Sequence, residues 1–290
     1  MSLAIWCQAA RPRTLVAAVV PVAVGSALAF HDGAFRPVLA FLALLGALAI
    51  QIGTNLANDV YDFIRGADTA DRLGPARVSQ QGLLEPKAVR AAAFGCFGVA
   101  IAVGAWLVCA GGWPILLIGI SSVLAGYAYT GGPYPLAYLG LGELFVFVFF
   151  GGVAVGGTYF LQAGSLNVTT ALAAVPVGAL GVALLAVNNV RDRATDARAG
   201  KRTLVVRLGT RFGRAEWMVM VAAAFLTPVL LWSLGLARAE VFLALLALPL
   251  AIAPFRLVRD QSGAVLNRAL AGTARLQLVF GLLFALGLSR

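Results

Sequence analysis

The sequence has little charge. Only 12% of its 290 residues are Asp, Glu, Lys or Arg, and 61% are hydrophobic, whereas a soluble globular domain carries about 25% charged residues. This composition excludes an ordinary water-soluble fold and predicts a polytopic membrane protein. The net charge of +10 is spread thinly among apolar segments, which argues against a nucleic-acid partner.

Cysteine and histidine are also scarce. The chain has three cysteines and one histidine, and the spacing of Cys7, Cys96 and Cys109 matches no metal-binding pattern. The sequence therefore argues against a zinc site, a disulfide framework and a Cys–His nucleophile pair.

Hydrophobic stretches dominate what is present. A transmembrane helix needs about 20 mainly apolar residues, and we predict nine such helices in an all-α bundle that forms a single membrane-embedded domain over residues 1–290. The predicted spans are 14–30, 37–58, 88–110, 113–130, 137–160, 168–187, 217–235, 241–253 and 269–288. Two long connections, 59–87 and 189–216, are predicted to cover the functional site.

Basic residues predict the orientation of the bundle. Eighteen of the 22 Lys and Arg residues fall in alternate connections on one side, and basic loops are retained in the cytoplasm. The N-terminus and both long connections are therefore expected in the cytoplasm, and the C-terminus outside.

Two polar stripes emerge from apolar helices on this side. Their members recur every three or four residues, so we expect each stripe to occupy one helix face. Polar groups within a span are costly and mark functional sites, although each stripe could also be a solvated helix end. The first stripe contains Gln51, Asn55, Asn58, Asp59 and Asp62, and the second contains Asn188, Asp192 and Asp196.

The composition of the stripes indicates a ligand. Carboxylate and amide oxygens suit Mg²⁺, and the neighbouring cations suit phosphate oxygens. Together they predict a lipid diphosphate whose C–O bond ionises in a dry bundle. Aromatic residues of the fifth span could face the resulting cation or simply pack. These aromatic residues are Phe145, Phe147, Phe149, Phe150, Tyr159 and Phe160.

These motifs resemble those of the UbiA-type intramembrane prenyltransferases. Asn58-Asp59-xx-Asp62 resembles the first aspartate motif of that family, Asp192-xxx-Asp196 the second, and 200–203 the basic segment after it. Gly66 stands at the place of the family's third aspartate, with Asp68 two residues later. Within the family, stretches 55–68, 72–80, 129–135, 142–143 and 188–192 are most similar to the branch that prenylates 1,4-dihydroxy-2-naphthoate.

The resemblance implies a reaction and a location. A polyprenyl group would pass from polyprenyl diphosphate to 1,4-dihydroxy-2-naphthoate in the presence of Mg²⁺, with release of diphosphate and CO₂, to give demethylmenaquinone. The bilayer would be the inner membrane of a bacterium, with the site facing the cytoplasm.

The resemblance also implies roles for individual residues. The implied Mg²⁺ ligands are Asn58, Asp59, Asp62, Asp192 and Asp196. The implied diphosphate contacts are Arg65, Arg72, Arg77, Lys201 and Arg202. The implied acceptor-side residues are Asn55, Asp68, Tyr129, Glu143, Asn188 and Asn189. The implied catalytic groups are the four motif aspartates with Lys201 and Glu143.

Alternatives remain open at this stage. The same diphosphate chemistry serves other acceptors such as 4-hydroxybenzoate or homogentisate. A cation-coupled transporter is an alternative from another class, because intramembrane acids often line ion paths. Transporter sites usually lie near the midplane, whereas both stripes here lie at one membrane face.

Overall fold

The structure, a computed structural model, describes residues 2–68 and 72–290, and every regular element in these ranges is helical. The α-helices are α1 (Leu3–Ala10), α2 (Val16–His31), α3 (Pro37–Ile64), α4 (Pro86–Ala128), α5 (Leu136–Leu139), α6 (Gly142–Val146), α7 (Ala154–Ala163), α8 (Val168–Arg198), α9 (Leu204–Leu208), α10 (Thr210–Ser233), α11 (Pro249–Asp260) and α12 (Leu266–Leu288). A π-helical segment, Phe147–Val153, joins α6 to α7.

Many of these helices are long and apolar enough to cross a membrane. Six segments meet this description, or up to eight if each of two bent helix pairs is one span. The bent pairs are Leu3–Thr14 with Val16–His31, and Ala239–Ala247 with Pro249–Asp260. The prediction of an all-helical integral membrane protein is confirmed.

The third and fourth predicted spans lie in one 43-residue segment, α4. Gly112, whose φ is 67° and ψ −159°, interrupts the helical conformation, and Pro114 follows closely. Glycine tolerates this backbone conformation because it has no Cβ. The break therefore falls between the two predicted spans.

Helix α8 is the central helix of the bundle, and most of its apolar part is buried. The Asn167 side chain caps its N-terminus by accepting a hydrogen bond from the Thr170 N–H. Gly178 allows the π-helical segment to approach closely, because a Cβ built there would lie 2.8 Å from the Phe147 carbonyl oxygen. The main core around α8 contains apolar residues of α2, α7, α10 and α12, and also of α9, α11 and the segment Ala239–Ala247.

Both polar stripes are helical, and here the predicted boundaries were wrong. Helices α3 and α8 continue past the predicted spans to Ile64 and Arg198, so the connections begin later than expected. Each helix then ends in a left-handed glycine, Gly66 (φ 69°) or Gly200 (φ 74°). The Ala67 N–H donates to the Asp62 carbonyl, and the Lys201 N–H to the Asp196 carbonyl, each at 2.9 Å. The two motifs therefore share one helix-end geometry.

Candidate active site

The described residues enclose a cavity of about 420 Å³ that changes from apolar to polar along its length. On α3, the lining begins with Ala43, Ala47 and Ile50 and ends with Asn58 and Asp62. Helix α8 changes in the same direction. Further apolar lining comes from Ala100, Gly104, Leu107, Ile115, Ile118, Phe145, Phe149, Phe150, Val153, Leu161 and Leu184.

Asp62 is the most highly connected residue of the first motif. It is 3% exposed, and one carboxylate oxygen accepts a hydrogen bond from the Tyr138 hydroxyl at 2.9 Å. The other lies 3.3 Å from Arg77 Nη2 and 3.3 Å from Lys201 Nζ. Asn58 also lines the cavity, and its amide oxygen accepts a hydrogen bond from the Thr130 hydroxyl at 2.6 Å.

The second motif faces the same cavity, as its spacing predicted. Asn188, Asp192 and Asp196 all belong to the lining. Asp192 is held by the Arg191 guanidinium through two hydrogen bonds of 2.8 and 2.6 Å. The Asp196 carboxylate lies 3.7 Å from Lys201 Nζ.

Lys201 joins the two motifs, because its ammonium lies beside both Asp62 and Asp196. Burial on its own would lower the pKa of Lys201, but these two carboxylates raise it above its ordinary value. Lys201 therefore stays positively charged at neutral pH. The left-handed turn at Gly200 places it there.

Two further predicted cations reach the cavity. Arg72 and Arg77 are part of its lining, and both pair with the buried Asp68. Burial raises the pKa of Asp68 to about 6, although Arg72 opposes this shift. Asp68 does not itself line the cavity. Its carboxylate holds the two arginine side chains in position through these ion pairs.

The other two predicted cations lie away from the cavity. The Arg65 guanidinium donates to the backbone carbonyls of Thr130 and Gly132. The Arg202 side chain is exposed, and its backbone N–H donates to the Tyr138 carbonyl at 2.9 Å. Both residues organise the connection around residue 138, so the structure does not support direct diphosphate contacts from them.

Asp59 is the main correction to the first stripe. One residue after Asn58, it is rotated by about 100° around the helix and points away from the cavity. It is 1% exposed, and its two oxygens accept hydrogen bonds from the backbone N–H groups of Val78 and Ser79 at 3.1 and 3.0 Å. The expectation that Asp59 shares the cavity face was wrong.

Most of the predicted acceptor-side residues do lie together. Tyr129, Glu143 and Asn189 line the cavity near the second motif, as does Asn188, and Glu143 accepts a hydrogen bond from the Asn189 amide at 2.8 Å. Asn55 also lines the cavity, but its amide donates to the Ala10 carbonyl and the Thr14 hydroxyl, each at 2.8 Å. Asn55 thus holds the N-terminal segment in place.

Two residues of the site were not predicted from the sequence. Arg11 lines the cavity with a left-handed backbone (φ 54°), and its Nη2 is buried with no hydrogen-bond partner among the described residues. The Tyr138 ring lies 4.9 Å from Lys201 Nζ. Burial and the charge of Asp62 raise the pKa of Tyr138, which keeps its hydroxyl protonated as a donor. The predicted span 137–160 included Tyr138, whereas the apolar helical segment runs from Gly142 to Ala163. A tyrosine at the edge of an apolar stretch carries no signal that would reveal this role.

Replacing Tyr138 by Phe tests its contribution. The ring beneath Lys201 remains, but Asp62 loses its 2.9 Å hydrogen bond, and we expect kcat/KM for the reaction at this site to fall on the order of tenfold. The matched control is Tyr134→Phe, since Tyr134 is in the same connection but 77% exposed. Equal rates in the two variants would contradict the role given to Tyr138.

The donor set fits Mg²⁺. In residues 2–68 and 72–290, no three carboxylate, thiol or imidazole groups form a ready metal cage. Mg²⁺ does not require one, because it binds through one or two carboxylates and completes its octahedron with water and substrate phosphates. Asn58, Asp62, Asp192 and Asp196 present such oxygens to one cavity.

The cavity has cations and carboxylates at one end and an apolar lining behind them, an arrangement that suits an amphiphilic anion. The chain belongs to the UbiA prenyltransferase family, whose sequence profile matches residues 18–282. It is 36% identical to 1,4-dihydroxy-2-naphthoate octaprenyltransferase of Escherichia coli K12, over 98% of this chain and 94% of the relative. It is 40% identical to the enzyme of the same name from Mycobacterium tuberculosis, over 98% and 96%.

Solved structures have the same fold. A UbiA homologue from Aeropyrum pernix K1 superposes with a TM-score of 0.72 at 17% identity, covering 93% of this chain and 96% of that one. A UbiA homologue from Archaeoglobus fulgidus bound to DMAPP and Mg²⁺ superposes with a TM-score of 0.64 at 16% identity, covering 96% and 98%.

Proposed function

We propose that this protein transfers a polyprenyl group from polyprenyl diphosphate to 1,4-dihydroxy-2-naphthoate, releasing diphosphate and CO₂. The observation that carries the proposal is the position of Lys201 between Asp62 and Asp196 at the polar end of an apolar cavity. The names of the relatives from E. coli and M. tuberculosis support this choice of acceptor.

The polar end suits the diphosphate. Lys201, Arg77 and Arg72 offer the positive charge that phosphate oxygens require, while Asn58, Asp62, Asp192 and Asp196 are the residues that would hold Mg²⁺. When bound, Mg²⁺ supplies further positive charge to the departing diphosphate. The C1–O bond of the prenyl group breaks, and the diphosphate leaves with the electron pair.

The apolar part protects the resulting allylic cation. Phe145, Phe149 and Phe150 line this region, and the first two rings stack with their centroids 5.7 Å apart. Aromatic faces stabilise cations, and the surrounding aliphatic lining excludes water. The other three aromatic candidates, Phe147, Tyr159 and Phe160, lie outside the lining.

The acceptor fits between these two regions. Glu143 and Asn189, joined by a hydrogen bond, are suited to orient the acceptor hydroxyl groups. The ring carbon that carries the carboxylate forms the new C–C bond to C1, and the C–CO₂ bond returns its electrons to the ring. The product is the hydroquinone form of demethylmenaquinone.

The same proposal includes a topology. A straight 43-residue helix would be about 65 Å long, twice the apolar thickness of a bilayer of about 30 Å. The break at Gly112 therefore supports two spans in α4, and counting both bent pairs as spans then gives nine. In this topology, the chain forms a single domain over 1–290, and its basic end faces the cytoplasm of a bacterium. The N-terminus is inside and the C-terminus is outside.

An acceptor panel tests the function. Purified protein receives Mg²⁺, one polyprenyl diphosphate, and 1,4-dihydroxy-2-naphthoate, 4-hydroxybenzoate or homogentisate in parallel. We expect prenylated product and labelled CO₂ from carboxyl-labelled naphthoate, and at least about a hundredfold less product with the other acceptors. Product from 4-hydroxybenzoate and none from the naphthoate would overturn the acceptor assignment.

A further inference from the structure

The turn that carries Arg77 is built against helix α3. The backbone N–H groups of Gln81 and Leu83 donate to the carbonyls of Arg77 and Val78, each at 3.0 Å. Val78 is fully buried and packs in a small apolar core with residues of α3 and α4. The backbone N–H groups of Val78 and Ser79 remain for another partner, and that partner is Asp59.

Asp59 binds this turn with both carboxylate oxygens. Each oxygen accepts one of two successive backbone N–H groups, at 3.1 and 3.0 Å, and the side chain lies outside the cavity lining. Hydrogen bonds from N–H groups to a buried carboxylate are stronger than those between neutral groups. Asp59 therefore determines where the backbone directly after Arg77 runs.

The position of Arg77 depends on that backbone. Its guanidinium is 3.3 Å from Asp62 and 3.2 Å from Asp68, and Arg77 is only 6% exposed. A buried guanidinium that must reach the cavity tolerates little displacement of its own Cα. The anchor at 78–79 thus supports the geometry of one of the cations assigned to the diphosphate.

We infer that Asp59 is a positioning residue for Arg77 and not a Mg²⁺ ligand. This inference rests on the proposed function for the identity of the ligand, but the anchor itself is a property of the unliganded protein. Asparagine at position 59 offers only one acceptor oxygen, and its amide N–H₂ would face one of the two backbone donors.

The first test needs neither metal nor substrate. Amide hydrogen exchange is measured on the metal-free protein as wild type, Asp59→Asn and Asp59→Glu. We expect the amides of Val78 and Ser79 to exchange at least about tenfold faster in Asp59→Asn, with partial protection in Asp59→Glu, which keeps both acceptor oxygens. Unchanged exchange at these two amides in Asp59→Asn would overturn the inference.

The second test is kinetic. Asp59→Asn is expected to raise KM for the polyprenyl diphosphate about tenfold, while the Mg²⁺ concentration for half-maximal rate and KM for the acceptor change less than about twofold. When Asp59→Asn is combined with Arg77→Ala, KM for the polyprenyl diphosphate should rise less than about twofold above that of Arg77→Ala alone, because the effects of coupled residues are not additive. A tenfold greater Mg²⁺ requirement at unchanged substrate KM would instead make Asp59 a metal ligand.

A control separates positioning from general loss of stability. Asn167→Ala removes a side-chain cap far from the site, the 2.8 Å bond to the Thr170 N–H, together with the hydrogen bonds of Asn167 to the Thr170 hydroxyl, Tyr159 and Asp32. It should leave KM for the diphosphate unchanged. If Asp59→Asn cannot be recovered in folded form, the exchange and kinetic measurements are both made on Asp59→Glu. Absence of product from the wild type with every acceptor would refute the proposed function, while the exchange result would still decide the role of Asp59.

Discussion

Asp62→Asn is expected to lower prenyl-transfer kcat/KM at least about a hundredfold, the effect typical of removing one group from a preorganised electrostatic site. Asp62 is buried among Arg77, Lys201 and Tyr138, so the substitution removes a negative charge on which two cations and the proposed Mg²⁺ site depend. The measurement is the initial rate of product formation across a series of Mg²⁺ concentrations. Asp192→Asn is expected to act in the same direction.

The matched control is Asp260→Asn. Asp260 is exposed and pairs with its neighbour Arg259 at the end of α11, so its loss should leave kcat/KM within about twofold of wild type. Size-exclusion profiles of both variants in detergent should match the wild type. Wild-type rates from Asp62→Asn, or full activity of the wild type in excess EDTA, would refute the two-motif mechanism.

Composition and periodicity were sufficient for the fold class, because apolar stretches long enough to cross a bilayer have few alternatives. They failed at the ends of α3 and α8. Both helices extend past their apolar part, since polar residues there face a cavity and each other. A hydropathy boundary therefore marks the edge of the apolar region and not the end of the helix, which in both cases is set by a left-handed glycine.

Helical spacing placed four of the five motif residues correctly. Asn58 and Asp62 are four apart, as are Asp192 and Asp196, and all four line the cavity. Asp59 was misplaced because both it and its neighbour Asn58 were assigned to the same helix face. The direction of the Asp59 side chain is determined by its tertiary contact with the turn at 78–79. Arg65 and Arg202 do not line the cavity for a different reason, because the number of cations near a motif does not tell which side chains reach a site. The Arg65 guanidinium binds backbone carbonyls, and the Arg202 side chain is exposed.

The π-helical segment had no sequence signal either, because its existence depends on what packs against it. Gly178 on α8 and Gly151 within the segment lie so close that a Cβ on Gly151 would be 2.8 Å from the Ala174 carbonyl oxygen and 3.1 Å from the Gly178 Cα. This contact brings the helix that carries Phe145 and Phe149 against α8. The shape of the apolar cavity therefore depends on two residues without side chains.

Gly178→Leu is accordingly expected to prevent stable folding. Even a Cβ at this position would lie 2.8 Å from the Phe147 carbonyl oxygen and 3.0 Å from the Phe147 ring, and the backbone atom cannot move aside. Overpacking of this kind lowers the free energy of unfolding by about 3 kcal/mol, which should appear as loss of the monodisperse peak in detergent or a large fall in Tm.

Gly98→Leu is the matched control for Gly178→Leu. Gly98 lies on the exposed side of α4, and among the described residues, apart from its chain neighbours and the adjoining backbone of its own helix, nothing lies within 4 Å of a Cβ built there. This variant should keep the wild-type Tm within a few degrees, because added apolar surface on a lipid-facing helix is neutral to insertion or favours it. If Gly178→Leu behaved as Gly98→Leu does, close contact between α8 and the π-helical segment would not be required, and the cavity would have to be shaped by other contacts.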